Sequence, residues 1–336
     1  MSIQRKRRLK KRQTLAGTNS IFLKFCREFD WIASAFKKKG FNICRKESNS
    51  LAPMGAKIYF MWAGSKYSHS NIINNIQRDG GVIYYAEHGW LSQRDYFYLD
   101  SQGTGVESSI ARMDITGDLG ECHYSYVQGQ LEIYKRRLNR GNPEVSGELK
   151  NVVEQSQYPL FLVPMQKEAD AQIVSHSPFK SMTEFLNCLS KIDDAGFLIK
   201  PHPRDHRKPD FLKKKFRHCP NLYFLPKDTH LAPLFDLVHG IVTINSCTGI
   251  EALAHGVPVT TFGEGIYTRK ELVNKIGNKL VKTNLKLKDL ACEKNHKHAI
   301  DNFLYKLFMR QLRKVDTEHP DFVDNILNNK FERIVI

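Results

Sequence analysis

Residues 241–259 read IVTINSCTGIEALAHGVPV, and their pattern indicates the class of fold. A buried-type strand is predicted at 241–245, small hydroxyl-bearing residues follow it, a helix is predicted at 249–255, and a second strand begins at 257. A strand, a helix and a second strand joined by short turns form a βαβ unit, in which the two strands are parallel. The stretch therefore predicts a doubly wound α/β domain.

Short apolar runs alternate with helical patterns along most of the chain. In the first half, strands are predicted at 58–62 and 82–86, with a helix near 71–77 between them. In the second half, strands are predicted at 159–164, 196–200, 221–225, 241–245 and 257–262, and helices at 182–191, 211–216, 231–237 and 249–255. The alternation predicts an α/β fold of two doubly wound Rossmann-like domains that face a cleft, with the ligand outside the carboxyl ends of the strands.

The predicted organisation has four segments: a basic tail at 1–18, a first Rossmann-like domain at 19–157, a second at 158–300, and C-terminal helices at 301–336 that pack back on the first domain. Ser20 is predicted to cap an amphipathic helix, with its apolar positions at Phe22, Phe25, Phe29, Ile32 and Phe36. Residues 100–147 are predicted to be loops, with helix only at 130–138.

The chain is strongly basic, with 51 Lys and Arg against 35 Asp and Glu and a formal net charge of +16. Seven of the cations lie in residues 5–12, so the rest of the chain carries +9. Such a tail is suited to an anionic membrane surface. Nucleic acid is not a predicted partner, because the chain has no reading motif in which aromatic and basic residues alternate. A basic membrane- or nucleic-acid-binding protein without enzymatic activity is the alternative of another class.

The seven cysteines are scattered and none has C-x-x-C spacing, which argues against a disulfide framework and against a zinc site. Charged residues interrupt the apolar stretch at 21–36, so no secretory signal is expected, and no window has the length of a membrane span. We expect a cytoplasmic protein that associates peripherally with a membrane.

Glu87, His88 and Gly89 follow the predicted strand at 82–86. Glycine permits a sharp turn and a close approach of the backbone, which leaves the carboxylate and the imidazole at the tip of the strand. A carboxylate in that position is suited to act as a general base or as a nucleophile. An ordinary surface turn is the alternative interpretation.

The strand at 196–200 runs into Lys200-Pro201-His202-Pro203-Arg204. The two prolines fix φ and have no amide N–H, so His202 is held in a narrow range of orientations. With a cation on either side, His202 is suited to bind a phosphate and to stabilise it as a leaving group.

The turn after the strand at 241–245 is the most specific signal in the chain. Ser246 and Thr248 offer hydroxyls, and free amides and the positive end of the following helix favour a phosphate there. Gly249 completes the turn. Glu251, in the first turn of the helix, is suited to accept hydrogen bonds from a ribose diol or to act as an ordinary capping acid.

The sequence resembles the capsule polysaccharide biosynthesis family of Gram-negative bacteria over about residues 57–270. Glu87-His88-Gly89-Trp90 with Leu99-Asp100 resembles the acidic motif of that family, and Lys200-Pro201-His202-Pro203 resembles its His-Pro motif. Gln166 and Asp170, which follow the strand at 159–164, lie in a segment similar to its glutamine-aspartate segment. Residues 245–259 are similar to its nucleotide-binding signature.

The resemblance implies a GT-B glycosyltransferase of capsule or surface polysaccharide biosynthesis. It would transfer a 2-keto sugar acid, Kdo, from a CMP-activated donor to a lipid or glycan acceptor, with no metal and no cofactor besides this donor substrate. Glu87 and His202 are the implied catalytic residues, although His88 stands where some members have a second carboxylate, so the attacking group is left open. The implied donor-binding residues are Gly89, Gln166, Asp170, Lys200, Arg204, Ser246, Thr248, Gly249 and Glu251.

Two further expectations accompany this function. The alternative within enzymes is a sialyltransferase, or a capsule transferase that uses another nucleotide sugar, since sialyltransferases share the same motif theme. The implied location is the cytoplasm, at the inner face of the inner membrane, with residues 5–12 on anionic lipid.

Overall fold

The computed structural model describes residues 20–24, 27–46, 56–62, 66–93, 95–140, 144–167, 171–203, 205, 209–276, 285–290 and 297–332. The chain divides into two compact units. The first combines Met1–Arg112 with Met309–Ile336, and the second is Met113–Phe308. The predicted boundary between residues 157 and 158 thus lies inside the second unit, because side chains of the helix at 121–138 pack against residues 251, 255 and 305.

The strands are β1 Ser20–Lys24, β2 Asn42–Lys46, β3 Ile58–Trp62, β4 Val82–His88, β5 Phe97–Asp100, β6 Leu160–Pro164, β7 Gly196–Lys200, β8 Leu222–Phe224, β9 Gly240–Thr243, β10 Val259–Thr261 and β11 Asn274–Lys275. The α-helices are α1 Arg27–Lys38, α2 Lys66–Arg78, α3 Glu121–Leu138, α4 Gly147–Gln155, α5 Ala171–His176, α6 Met182–Leu189, α7 Pro209–Lys215, α8 Ala232–Phe235, α9 Thr248–Ala254, α10 Leu287–Leu290, α11 Lys297–Arg310 and α12 Phe322–Leu327. Short 3-10 helices lie at Gly105–Glu107, Ser109–Arg112 and Lys314–Glu318. Within these described segments, no helix has the length and apolar character needed to cross a bilayer.

The first unit is built on a five-stranded sheet in the order β2-β1-β3-β4-β5. The strands are parallel except β5, which runs antiparallel to β4. One core cluster joins α1, the sheet and α12, since Phe29 and Ile32 of α1 pack in it with Phe322 and Ile326 of α12. The C-terminal segment therefore completes the core of this unit, and its apolar residues at i and i+4 supply the face that does so.

Several predictions for this part of the chain need correction. Residues 20–24 form strand β1 rather than the start of a helix, and the helix begins at Arg27, although Phe29, Ile32 and Phe36 are buried as expected. Strand β5 was not predicted. In the second unit, α3 begins at Glu121, so the stretch 100–147 holds more helix than the predicted 130–138.

The second unit contains a parallel six-stranded sheet in the order β11-β10-β9-β6-β7-β8. The chain builds β7 and β8 on one side of β6 and then returns to build β9, β10 and β11 on the other. This is the Rossmann order, and its switch point lies between β6 and β9. All five predicted strands of this half are present with small shifts at their ends, so the doubly wound sheet is confirmed.

Candidate functional site

The carboxyl ends of β9, β6 and β7 lie side by side, because these three strands are parallel neighbours in the sheet. Each is followed by one of the predicted polar segments, at Asn245, Gln166 and His202 respectively. In open α/β sheets, the crevice at the carboxyl ends next to the switch point is the usual place for a ligand. Three of the four predicted segments therefore share one edge of the second unit.

Gln166 and Asn245 join the two strand ends at the switch point, and both are buried. Nε2 of Gln166 donates to Oδ1 of Asn245 at 2.9 Å, and the backbone N–H of Asn245 donates to Oε1 of Gln166 at 3.3 Å. Nδ2 of Asn245 in turn donates to the carbonyl of Glu264 at 3.0 Å. Both ends of the Gln166 amide are thus engaged with Asn245, so the structure shows a bracing role for Gln166, and its contact with a donor remains a prediction.

The hydroxyls of Ser246 and Thr248 lie together in the turn after β9. Oγ of Ser246 donates to Oγ1 of Thr248 at 3.2 Å and accepts the backbone N–H of Thr248 at 3.2 Å. With Ser246 as donor, Thr248 keeps its own hydroxyl proton for a further acceptor. The pair is half-buried and stands at the start of α9, where a phosphate was predicted.

The prediction of free backbone amides in this turn needs correction, because the N–H groups of residues 248–250 are hydrogen-bonded within the turn. The N–H of Gly249 donates to the carbonyl of Ser246, and the N–H of Ile250 donates to that of Cys247, both at 2.9 Å. With the Thr248 amide also engaged, the turn is closed on itself. The N–H groups of residues 248–250 are thus engaged within the turn, whereas the hydroxyls of Ser246 and Thr248 are suited to bind an anion.

Packing requires glycine at position 249, and the predicted contact of Gly249 with a donor stays a prediction. A Cβ at this position would lie 2.5 Å from the hydroxyl oxygen of Tyr267 and 2.6 Å from two of its ring carbons. The Tyr267 hydroxyl donates to the carbonyl of Ser246 at 2.5 Å. Tyr267 was not among the predicted residues, because no spacing in the sequence relates it to the turn.

Glu251 lies in the first turn of α9 and is only partly exposed. Burial is the main cause that raises the pKa of its carboxyl to about 7, and an interaction with the phenol of Tyr134 lowers this pKa by a smaller amount. Tyr134 belongs to α3 and is buried on the same helix face as Val127 and Leu131, from which it is separated by helical spacing. That spacing is the signal that identifies this face of α3 as buried, although it does not identify Glu251 as the neighbour.

His255, one turn after Glu251, packs between two aromatic rings. Its ring is stacked on Phe235 with centroids 4.6 Å apart and meets Tyr134 edge-on at 5.8 Å. Burial lowers its pKa. The wall beside Glu251 is therefore aromatic, which accounts for the poor solvation of its carboxyl.

The turn at 200–203 is braced from the segment after β8. Nζ of Lys200 donates to the carbonyls of Pro201 at 3.1 Å and Lys227 at 2.9 Å, and Nζ of Lys227 donates to the carbonyl of Asp205 at 2.8 Å. Lys200 is buried, and burial is the main cause that lowers its pKa. The structure thus shows a bracing role for Lys200, and its contact with the donor stays a prediction. His202, half-buried, lies within this braced turn.

In the first unit, Glu87 and His88 are the last two residues of β4. The ring of His88 meets Trp62 edge-on, with centroids 4.9 Å apart, and Oε1 of Glu87 accepts the N–H of His88 at 3.0 Å. Gly89 permits the close approach that was predicted, since a Cβ there would lie 2.5 Å from Cβ of Tyr96. The side chains of Glu87 and His88 are half-buried.

Two predicted donor-binding residues, Asp170 and Arg204, lie outside the described residues, as does the basic tail. Within the described part of the chain, no three His, Cys, Asp or Glu side chains are grouped so that they could hold a metal ion. The absence of a metal and of a cofactor stays a prediction of the sequence.

The family described as "Capsule polysaccharide biosynthesis protein" matches residues 121–305. Capsule polysaccharide modification protein LipB of Neisseria meningitidis is 34% identical over 128 residues, which cover 34% of this chain and 30% of LipB. Protein FixF of Sinorhizobium fredii is 33% identical over 135 residues, which cover 37% of this chain and 31% of FixF. The chain thus matches about a third of the length of these curated relatives.

Among solved structures, the β-Kdo 2,7 transferase of Thermosulfurimonas dismutans KpsC has a TM-score of 0.58 at 18% identity, and the match covers 88% of this chain and 92% of that chain. At this identity the likeness concerns the fold. It confirms the predicted GT-B class, with two Rossmann-like α/β units.

Proposed function

Because the chain belongs to the capsule polysaccharide biosynthesis protein family, we propose that it is a glycosyltransferase that takes Kdo, a 2-keto sugar acid, from a CMP-activated donor. The acceptor in this proposal is a lipid-linked or glycan chain of a surface polysaccharide. The similarity in fold to a β-Kdo transferase supports the choice of donor.

One observation carries the proposal: the hydroxyl pair of Ser246 and Thr248 stands at the switch point of a Rossmann-order sheet. Nucleotides bind at such points, where the ends of parallel strands leave a crevice. Of the polar groups in this turn, the hydroxyls are the ones able to rotate toward a ligand, since the N–H groups of Thr248, Gly249 and Ile250 are already bonded. We assign the CMP phosphate to them.

The neighbouring groups suit the rest of the donor. His202, in the turn after β7, would hydrogen-bond the phosphate as the bond between the anomeric carbon and the phosphate oxygen breaks and CMP leaves with the electron pair. Glu251 would accept hydrogen bonds from the ribose diol. The donor carboxylate is assigned to Arg204 rather than Lys200, whose ammonium already donates to two carbonyls.

Glu87 would act at the anomeric carbon in one of two ways. As a base, it takes the proton of the acceptor hydroxyl while the new C–O bond forms. As a nucleophile, it forms an ester with the sugar, which the acceptor hydroxyl then displaces. Both roles need an ionised carboxylate at the end of β4.

The proposed location is the cytoplasm, where residues 5–12 would hold the protein on anionic lipid at the inner face of the inner membrane. This places the enzyme beside a lipid-linked acceptor.

The donor is tested by measuring release of CMP or UDP from CMP-Kdo, CMP-sialic acid and UDP-N-acetylglucosamine side by side with the full chain. Turnover of CMP-Kdo alone is the expected result. Turnover of CMP-sialic acid would move the assignment to the sialyltransferase alternative, and turnover of the UDP-sugar would contradict a CMP donor.

The site is tested with Ser246→Ala/Thr248→Ala, which should weaken CMP binding by at least about 10-fold, since two charge-assisted hydrogen bonds are lost. The matched control is Ser175→Ala/Thr183→Ala, which removes two hydroxyls from α5 and α6 of the same unit and should leave binding unchanged. Equal affinities in both variants would refute the phosphate assignment.

Glu87→Gln should retain CMP binding but lose transfer by at least about 100-fold, because the neutral amide is neither base nor nucleophile. Glu154→Gln, an exposed carboxylate in α4, is the control. Full activity of Glu87→Gln would remove Glu87 from the mechanism.

A further inference from the structure

Tyr267 lies outside every segment that the sequence motifs identify, yet it contacts the turn to which the donor phosphate is assigned. It is one of the largest fully buried side chains among the described residues. Its hydroxyl donates to the carbonyl of Ser246 at 2.5 Å, and its ring fills the space that a Cβ at Gly249 would take. One side chain thus fixes both the start and the end of the turn.

The Ser246 carbonyl accepts two hydrogen bonds, one from Tyr267 and one from the N–H of Gly249 at 2.9 Å. Two donors on one carbonyl fix the plane of the peptide that follows Ser246. This peptide links Ser246 to Cys247 and so sets the direction in which the hydroxyls of Ser246 and Thr248 project.

The segment that carries Tyr267 is itself anchored. The N–H of Gly263 donates to the carbonyl of Ile244 at 2.8 Å, and the N–H of Glu264 donates to that of His176 at 2.8 Å. The carbonyl of Glu264 accepts from Asn245 at 3.0 Å. Residues 263–267 therefore form a fixed support beside the turn.

From this geometry we propose that Tyr267 is a positioning residue for the donor: it holds the Ser246–Thr248 hydroxyl pair in its binding arrangement before the donor arrives. This inference rests on the proposed function. A preformed site avoids the cost of ordering the turn on binding, and a turn that is competent only part of the time binds with an affinity reduced by that fraction. Tyr267 touches no reacting atom and acts through the turn.

The test is Tyr267→Phe, which removes one oxygen and keeps the ring. We expect CMP to bind about 10-fold more weakly by calorimetry, and the KM for the donor to rise by a similar factor while kcat changes by less than about 2-fold, because bound donor restores the turn. The matched control is Tyr59→Phe, which removes another buried phenol hydroxyl that bonds a backbone group, at Ala56 of the first unit. It should leave CMP affinity unchanged.

A double-mutant cycle separates positioning from a general loss of stability. In the Ser246→Ala/Thr248→Ala background there are no hydroxyls left to position, so Tyr267→Phe should have no further effect on CMP affinity, while its effect on Tm persists. If Tyr267→Phe folds poorly, Gly249→Ala is the second variant. Its Cβ would displace the ring of Tyr267 from the turn.

The outcomes are distinguishable. If the wild-type chain does not bind CMP, the proposed function fails and this inference fails with it. If the wild-type chain binds CMP and Tyr267→Phe binds it equally well, or if the Tyr267 effect is the same with and without the two hydroxyls, this inference alone is overturned.

Discussion

The guanidinium of Arg310 donates to the carboxylate of Asp100 at 3.0 Å, and both side chains are buried in the first unit. The carboxylate also accepts the N–H of Gln102 at 2.7 Å and the N–H and hydroxyl of Ser109 at 3.0 and 2.5 Å. Asp100 is part of the motif that includes Glu87. Its partners show that this part of the motif has a structural role, which is to join β5 to the C-terminal segment.

Replacing Arg310 by Met should lower the free energy of unfolding by about 3–5 kcal/mol, because it leaves a buried carboxylate without its charged partner. Chemical denaturation measures the loss. The control is Lys39→Met, which breaks an exposed pair with Asp324 of the same C-terminal segment, where N and O are 2.8 Å apart. It should cost less than about 1 kcal/mol. Similar losses in the two variants would mean that the buried pair contributes no more to the free energy of unfolding than the exposed pair.

The strands of the second unit were predictable because each is a short apolar run between turn signals. Residues 196–200 form a strand with the predicted bounds, and the same holds for residues 58–62 of the first unit. Residues 20–24 were mistaken for helix because Phe22 continues the helical spacing of Phe29, Ile32 and Phe36, and periodicity alone does not resolve such a short run. The start of α3 was missed because residues 121–125 are exposed and show no apolar period.

The candidate site was predictable only where it lies at strand ends. Gln166, His202 and Ser246 share an edge because parallel strands end together. Their supports were not predictable, since Tyr267, Tyr134 and Lys227 are brought to the site by tertiary packing. The free amides were wrongly predicted because the turn closes hydrogen bonds within itself, a choice that depends on exact backbone angles.

The reciprocal amide pair of Gln166 and Asn245 predicts energetic coupling. A double-mutant cycle of Gln166→Ala and Asn245→Ala, followed by denaturation, should give a coupling of about 1 kcal/mol. Both single variants break the hydrogen bond between the two side chains, whereas the backbone N–H of residue 245 loses its acceptor only in Gln166→Ala. Asn221→Ala is the control partner, since Asn221 is buried elsewhere in the unit and bonds the carbonyl of Ile192 at 2.7 Å. Gln166 and Asn221 should be additive. Additivity of Gln166 and Asn245 would show that the pair has no energetic role.

Glu251 predicts a pH dependence of stability. Its pKa is about 7 in the folded chain against an ordinary value of 4.5, so between these values the folded state binds more protons than the unfolded state. The free energy of unfolding therefore falls as pH rises through this window. Glu251→Gln should remove this fall, and its stability relative to wild type should increase between pH 4.5 and 8 by up to about 3 kcal/mol.

Two variants check the cause of this effect. Tyr134→Phe removes the interaction that lowers the Glu251 pKa, so the fall in stability should start at the same pH and extend to higher pH. Glu154→Gln, on the exposed surface of α4, should show no pH-dependent difference. A Glu251→Gln profile parallel to wild type would mean that Glu251 is ionised in the folded chain as it is in water.

Residues 5–12 carry seven cations, each of which contributes about 1 kcal/mol to attraction near an anionic bilayer. Deleting residues 1–14 should therefore reduce co-sedimentation with phosphatidylglycerol vesicles by at least about 10-fold and leave turnover with a soluble acceptor unchanged. Wild-type binding should weaken as salt is raised, because screening shortens the range of the attraction. Lys37→Gln/Lys38→Gln, which removes two exposed cations at the end of α1, is the control and should change binding by less than about 3-fold. Undiminished vesicle binding without the tail would place the membrane contact on the folded units, and loss of turnover with soluble acceptor would give the tail a role in catalysis instead.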